Sequence, residues 1–241
     1  MKIQKKLQMD KDGLMANGPI NIVILGDSVS HAAFLDYHDY NAVYWNVLRK
    51  KLCAVRDYVP INTICASVGG TTAKDALMRL SRDVLGHHPD LVIVCFGLND
   101  VNGSLEDYLD SLREIFSRCK TEDCDVIFLS PNMLNTSVDS VVTPAIYLDY
   151  AYKTAEMQNT GKMDTYIYSA MDLAREMGIT VCDCYSEWKK LSETQDVTYL
   201  LSNRINHPTE EMHGLFAEKL FEIIMGEGGV SKKNDSTMYK G

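Results

Sequence analysis

Six histidines, a serine behind an apolar run and an asparagine behind another hold the ingredients of acyl transfer. Ser28 follows the run at residues 21–25 (NIVIL) and closes the triplet Gly26-Asp27-Ser28. A serine nucleophile needs a base to take its proton. His31 stands three residues from Ser28, too close to be both fixed and oriented. His87 and His88 follow a helical pattern and precede a strand, which puts them at the opposite rim. His213 falls inside a helical pattern, where packing or capping is the simpler role, and His38 carries no motif. His207, between the fifth apolar run and the last helix, is the best-placed base. The oxyanion of an acyl-transfer intermediate needs donors. The Ser28 N–H, Gly70 and the side-chain amide of Asn99 are the candidates.

Each residue also has an ordinary use. Ser28 can cap a turn, Gly69-Gly70 can be a turn, and Asn99-Asp100 can start a helix. The Gly-x-Ser-x-Gly nucleophile elbow is absent, because Ser30 stands where its second glycine belongs. A phosphate loop is excluded too: no glycine-rich run with a trailing Lys-Ser/Thr pair is present. The joint placement of these residues favours chemistry.

That placement rests on the elements. Short apolar runs at residues 21–25, 60–66, 91–96 (LVIVCF), 125–130 and 179–183 read as buried strands. Helical spacing recurs over 42–55, 72–85, 104–116, 162–177 and from Pro208 onward, with Gly178 as a C-cap and Ser104 and Asp107 close to a capping box. The alternation predicts an α/β fold with a five-stranded parallel sheet covered on both faces. Sites in such sheets lie beyond the carboxyl ends of the strands. Ser28, Gly70 and Asn99 each follow a predicted strand and share that rim. Residues 132–161 are the least regular, with a helix near 147–157, and are expected to wall the pocket with Tyr147, Tyr150 and Tyr152. Residues 1–19 read as an N-terminal arm or edge element, 20–225 as the catalytic domain and 226–241 as a flexible tail.

The 241 residues are 46% hydrophobic with a formal charge of −9, which fits a globular domain and argues against nucleic acid as a partner. A small neutral or weakly polar substrate fits better. Seven cysteines, an odd number, argue against a fully paired disulfide framework. Cys182-Asp183-Cys184 lacks a second pair or nearby histidine for a metal. No apolar run reaches the length of a membrane span, and the basic N-terminus has no long apolar region. The chain as written reads as cytoplasmic; a leader removed upstream would make it secreted or periplasmic. Oligomeric state is not legible.

Four blocks resemble those of the SGNH or GDSL hydrolases: Gly26-Asp27-Ser28-Val29-Ser30, residues 66–72 (ASVGGTT), Gly97-Leu98-Asn99-Asp100 and Asn206-His207-Pro208, in the family's order over roughly residues 20–225. The resemblance implies a flavodoxin-like three-layer α/β/α sandwich, a serine esterase with Ser28 as nucleophile and His207 as base, an oxyanion hole of Ser28, Gly70 and Asn99, and no cofactor or metal. The chain departs from the family where an acid should precede the histidine. Arg204 and Asn203 stand there. Asn203 could hold the ring by its side-chain carbonyl; a backbone carbonyl or Asp196 are the alternatives. Short acyl esters, including O-acetyl groups on sugars, are the expected substrates. A lysophospholipase or thioesterase of the same family, a nucleotide-binding flavodoxin-like protein and a catalytically weak carbohydrate-binding relative are the competing readings.

Overall fold

The computed structural model describes residues 1–226. Two short helices come first, α1 (Lys2–Leu7) and α2 (Lys11–Asn17). There follow β1 (Ile20–Gly26), α3 (Tyr44–Cys53), β2 (Ile61–Cys65), α4 (Ala73–Asp83), β3 (Leu91–Cys95), α5 (Leu105–Thr121) and β4 (Asp125–Leu129). The chain continues through α6 (Leu148–Asn159), α7 (Lys162–Glu176), β5 (Thr180–Cys182), α8 (Tyr185–Ser192) and α9 (Glu210–Met225).

All five strands pair in parallel, in the order β2-β1-β3-β4-β5. α3 packs on α9, while α4 packs on α5 and α5 on α7, giving the two helical layers of an α/β/α sandwich. The central strands β1 and β3 are buried along nearly their whole length, so their sequences are continuous apolar runs rather than alternating ones. The edge strands β2 and β5 are only partly covered and carry polar residues. Strand order reverses between β1 and β3, where the connections leave towards opposite faces. Ligands of such sheets bind at that reversal, beyond the carboxyl ends of the strands.

Several boundaries differ from the sequence-based expectation. Residues 1–19, read from the sequence as an arm or edge element, contain the two helices α1 and α2. Ile3 and Leu7, one turn apart, enter the core, and Lys6 is buried beside them. Lys6 Nζ binds both carboxylate oxygens of Asp90, at 2.9 and 2.8 Å, and the Pro19 carbonyl at 2.8 Å. The second helix is capped by Asp10, which accepts the Gly13 N–H at 2.9 Å. Helix α8 was not anticipated; Trp188 and Tyr185 anchor it in the core. The last helix opens at Glu210 rather than Pro208, because Pro208 pairs with Leu201 in an isolated β-bridge. Ser104 caps α5 through the Asp107 N–H, whereas the reciprocal capping box forms at Thr72 and Asp75 on α4. Gly178, at φ +67°, ends α7 as expected. The expected C-terminal tail lies, apart from Gly226, outside the described residues.

Candidate active site

Ser28 is presented by a tight turn, not by a helix N-terminus; the next helix, α3, starts sixteen residues later at Tyr44. The turn is held by its own backbone: His31 N–H reaches the Asp27 carbonyl and Ala33 N–H the Ser28 carbonyl, both at 2.9 Å. Gly26 is required because a Cβ there would lie 2.9 Å from the Cys95 carbonyl on the neighbouring strand. Asp27 is buried and accepts the Val29 N–H at 3.0 Å. Burial, and to a smaller extent nearby Asp100, pushes its carboxyl up to about 7. Asp100 is itself raised to about 6 by burial. It accepts the Gly97 N–H at 3.0 Å and the Ala73 N–H at 2.8 Å, tying the loop after β3 to the start of α4.

The turn at Gly69-Gly70 leans against the serine: a Cβ on Gly69 would sit 3.6 Å from Ser28 Cβ. Gly70 is left-handed at φ +75°, which favours glycine there for conformation rather than for space, since a Cβ would meet nothing within 4 Å. Asn99 Nδ2 donates to the Thr71 carbonyl at 3.0 Å, which fixes the amide against the same turn. Its second N–H remains for a ligand. The Gly69-Gly70 turn is thus placed beside Ser28, and Asn99 is tied to the residue that follows it.

His207 arrives from the loop before α9. Its Nε2 lies 3.0 Å from Ser28 Oγ, and its Nδ1 lies 2.6 Å from the Phe34 carbonyl oxygen. A carbonyl can only accept, so Nδ1 carries the proton and Nε2 presents its lone pair to the serine. Burial holds the imidazole below the ordinary histidine value, with the Phe34 carbonyl partly opposing the shift. The ring is therefore neutral near pH 7, as a base must be.

Asn203 does not hold the ring. Its Oδ1 accepts the backbone N–H groups of Ile205, Asn206 and His207, at 3.0, 2.9 and 2.9 Å, and so shapes the loop that carries the base. An Asx turn of this kind satisfies nearby N–H groups before a ring on the far side of the loop can compete. Arg204 stands at φ +59° and turns its guanidinium onto the Tyr199 and Leu201 carbonyls. Asp196 is spent elsewhere, on the hydroxyls of Thr136 and Ser137 and the Thr198 N–H. The ring's partner is a backbone carbonyl, one of the three expected alternatives, and it belongs to Phe34, a residue that no motif singles out.

The remaining histidines do not contact Ser28. His31 Nε2 bonds the Tyr40 hydroxyl at 3.1 Å. His87 and His88 are exposed at the amino-terminal side of the sheet. His213 is buried inside α9. Of the three tyrosines expected to wall the pocket, Tyr150 is half-buried within hydrogen-bonding reach of the Asn102 side chain, and Asn102 Nδ2 bonds the Asn99 carbonyl at 3.2 Å. Tyr147 and Tyr152 are exposed. A separate polar cleft of about 630 Å³ lies beyond β4 and β5, lined by Thr136, Gln158, Asp164, Lys189 and Asp196, and does not include the serine or His207.

Among the described residues, no group of three or more His, Cys, Asp or Glu side chains is arranged to hold a metal ion. All seven cysteines are free, and Cys182 and Cys184 are buried with sulfurs 3.8 Å apart. No described helix is long and apolar enough to cross a membrane.

Residues 24–215 match the model of the GDSL-like lipase/acylhydrolase family. An uncharacterized lipoprotein of Bacillus subtilis (strain 168), YqeF, is 36% identical over 90 residues, covering 36% of this chain and 35% of that protein. The aligned stretch thus spans about a third of that relative's length. Among solved structures, the acetylxylan esterase of Geobacillus stearothermophilus superposes with a TM-score of 0.68 at 20% identity, covering 88% of this chain and 97% of that one. Its catalytic mutants replace a serine, an aspartate and a histidine. An alpha/beta hydrolase enzyme from the metagenome of Lake Arreo, Spain, superposes with a TM-score of 0.67 at 21% identity, covering 85% and 94%. These two likenesses carry the fold.

Proposed function

The chain belongs to the GDSL-like lipase/acylhydrolase family, and on that premise we propose that it cleaves short acyl esters, O-acetyl groups on carbohydrates foremost, through an acyl-enzyme on Ser28. It is a carboxylic ester hydrolase of the serine type. The observation that carries the mechanism is the line from Phe34 carbonyl to His207 Nδ1 and from His207 Nε2 to Ser28 Oγ, at 2.6 and 3.0 Å.

The steps follow from that line. His207 Nε2 takes the Ser28 proton as Oγ attacks the ester carbonyl. The developing oxyanion is met by the Ser28 N–H, the Gly70 N–H and the free N–H of Asn99. The imidazolium gives its proton to the departing alcohol. Water then attacks the acyl-enzyme with His207 again as base, releasing the acid and freeing Ser28. Asn203 acts on the loop that carries His207, not on the ring. No step needs a metal or organic cofactor.

The choice of an acetyl ester draws support from the likeness to an acetylxylan esterase and from the polar residues near the site, where His31 bonds the Tyr40 hydroxyl and Asn102 bonds the Asn99 carbonyl. One observation favours longer acyl chains instead. The segment before α6 exposes Val141 and Ile146, at 91% and 79%, together with Val142 and Tyr147. A series of p-nitrophenyl esters from acetate to decanoate separates the readings, alongside acetylated xylooligosaccharides. We expect kcat/KM to peak at acetate and Ser28→Ala to lose at least about 10³-fold. A peak at octanoate or beyond would transfer the assignment to a lipase or thioesterase. Retention of the rate in Ser28→Ala would remove the nucleophile.

A further inference from the structure

Phe34 holds His207 through a backbone carbonyl, and a backbone atom is only as well aimed as the segment that carries it. That segment is a short hairpin: Ala33 bridges His38, Phe34 N–H bonds the Tyr37 carbonyl at 3.0 Å, and Asp39 N–H bonds the Ala32 carbonyl at 3.0 Å. It belongs to no sheet: the Ala33 N–H to the Ser28 carbonyl ties its base to the nucleophile turn, and the Phe34 side chain ties it to α9. The Phe34 ring is buried, stacked on Tyr37 with centroids 5.4 Å apart and planes 8° from parallel. It also touches the His213 ring, at 5.0 Å and 52°. Tyr37 is 48% exposed and meets Phe34 from the solvent side, whereas His213 is fully buried in α9.

His213 is fixed in turn. Its Nδ1 accepts the Tyr44 N–H at 3.3 Å, and its ring stacks on Tyr44 at 6.0 Å and meets Phe216 edge-on at 6.2 Å. Tyr44 bonds Ser30 Oγ at 2.8 Å, two residues from the nucleophile. The His213 Nε2 is buried and finds no partner among the described residues. A histidine kept at the cost of an unsatisfied donor is an unusual choice for packing alone. Burial depresses it to about 3, so it stays neutral and adds no positive charge beside the imidazolium that forms on His207.

Resting on the Ser28–His207 reading above, we propose that Tyr37 and His213 grip the Phe34 ring and thereby keep its carbonyl on His207 Nδ1, acting as positioning residues in place of the missing acid. Neither touches the reacting atoms. The titratable groups that act on the His207 ring are His38 on the same hairpin and His213 on α9, and Ser28 Oγ is its hydrogen-bond partner.

The test compares Tyr37→Ala and Tyr37→Phe with the wild type; Tyr37 is at the surface, so both variants are expected to fold. Two readouts are used: hydrolysis of p-nitrophenyl acetate across pH, and ¹⁵N-resolved NMR titration of His207, assigned by its absence in His207→Gln. Tyr37→Ala should lower kcat about tenfold with KM within twofold, consistent with a base displaced by a fraction of an ångström. The His207 titration should move to lower pH, because the carbonyl that favours the imidazolium is less well aimed, and the hydrogen-bonded Nδ1–H signal should broaden. Tyr37→Phe, which keeps the stack, should match the wild type in all three. His213→Leu should resemble Tyr37→Ala; if it does not fold, the Tyr37 pair decides. An unchanged kcat and an unchanged His207 titration in Tyr37→Ala overturn the proposal. So does a change confined to KM, which would make Tyr37 a substrate contact. If the wild type hydrolyses no ester, the function assigned above fails, and the NMR titration still decides the positioning role.

Discussion

Phe34 performs with a peptide carbonyl what a carboxylate performs in a Ser-His-Asp arrangement, and the exchange has a price in electrostatics. A carbonyl dipole fixes the tautomer and the ring plane, but it offsets less of the imidazolium charge than an ionised acid would. Burial therefore still favours the neutral form of His207, the Phe34 carbonyl opposing it only in part. We expect the acid limb of kcat/KM to fall below pH 6.5, in a rate profile measured with p-nitrophenyl acetate. A limb above 6.5 would mean that a carboxylate reaches the ring after all. Asn203 gives a second prediction. Asn203→Ala removes the acceptor of three N–H groups and should cost about 1–3 kcal/mol of stability and about tenfold in kcat. Asn203→Asp keeps the acceptor, and should preserve the rate without increasing it, as measured by chemical denaturation and steady-state kinetics. Ser28, Gly70 and Asn99 stand out in the sequence because each residue type has a specific use after a strand, and His207 because it precedes the last helix. Phe34 does not, because every residue carries a carbonyl and the sequence only records that no acid stands near His207.

At the level of elements, the N-terminal helices show where periodicity runs out. α1 is six residues long, and helices that short do not persist without tertiary contacts. Its buried stripe is Ile3, Lys6 and Leu7, and the lysine reads as polar until Asp90 is found opposite it. Asp90 also accepts the Asn21 N–H at 2.8 Å, so the pair joins α1 to the starts of β1 and β3. Breaking a buried pair from one side leaves the other charge uncompensated. Lys6→Met should therefore cost about 3–5 kcal/mol in urea unfolding, with Lys6→Met/Asp90→Leu recovering much of the loss. A loss under 1 kcal/mol would reduce α1 to an accessory. The long strands and amphipathic helices were readable because their burial is repetitive. α8 was missed because two aromatic anchors, Tyr185 and Trp188, do not make a period.

For the whole molecule, two buried carboxyls beneath the site link stability to pH. The folded state raises Asp27 to about 7 and Asp100 to about 6 from 3.8, so between roughly pH 4 and 7 the folded protein binds protons that the unfolded chain releases. Their contribution to stability accordingly falls as pH rises through that window. Asp27→Asn, which can still accept the Val29 N–H, should gain stability relative to the wild type between pH 5 and pH 8 in paired urea titrations. A difference that does not vary with pH would show that Asp27 is ionised throughout. The polar side chains of the Gly26–Ser30 turn are likewise bonded inside the protein, Asp27 to the Val29 N–H and Ser30 Oγ to the Tyr44 hydroxyl.

The sequence by itself determined the fold class, the order of the strands along the chain and the four blocks of the site, because buried parallel strands and strand-end turns demand particular residue types at short range. Only the tertiary structure decided what orients His207, what covers the sheet at the N-terminus and where Asn203 and Asp196 direct their side chains. The first two depend on contacts between residues more than a hundred positions apart, such as Phe34 with His207 and Asp125 with Ile3, in which a backbone atom supplies one partner and leaves no mark on residue type; Asn203 and Asp196 are settled by the local turn and by the loop after β4.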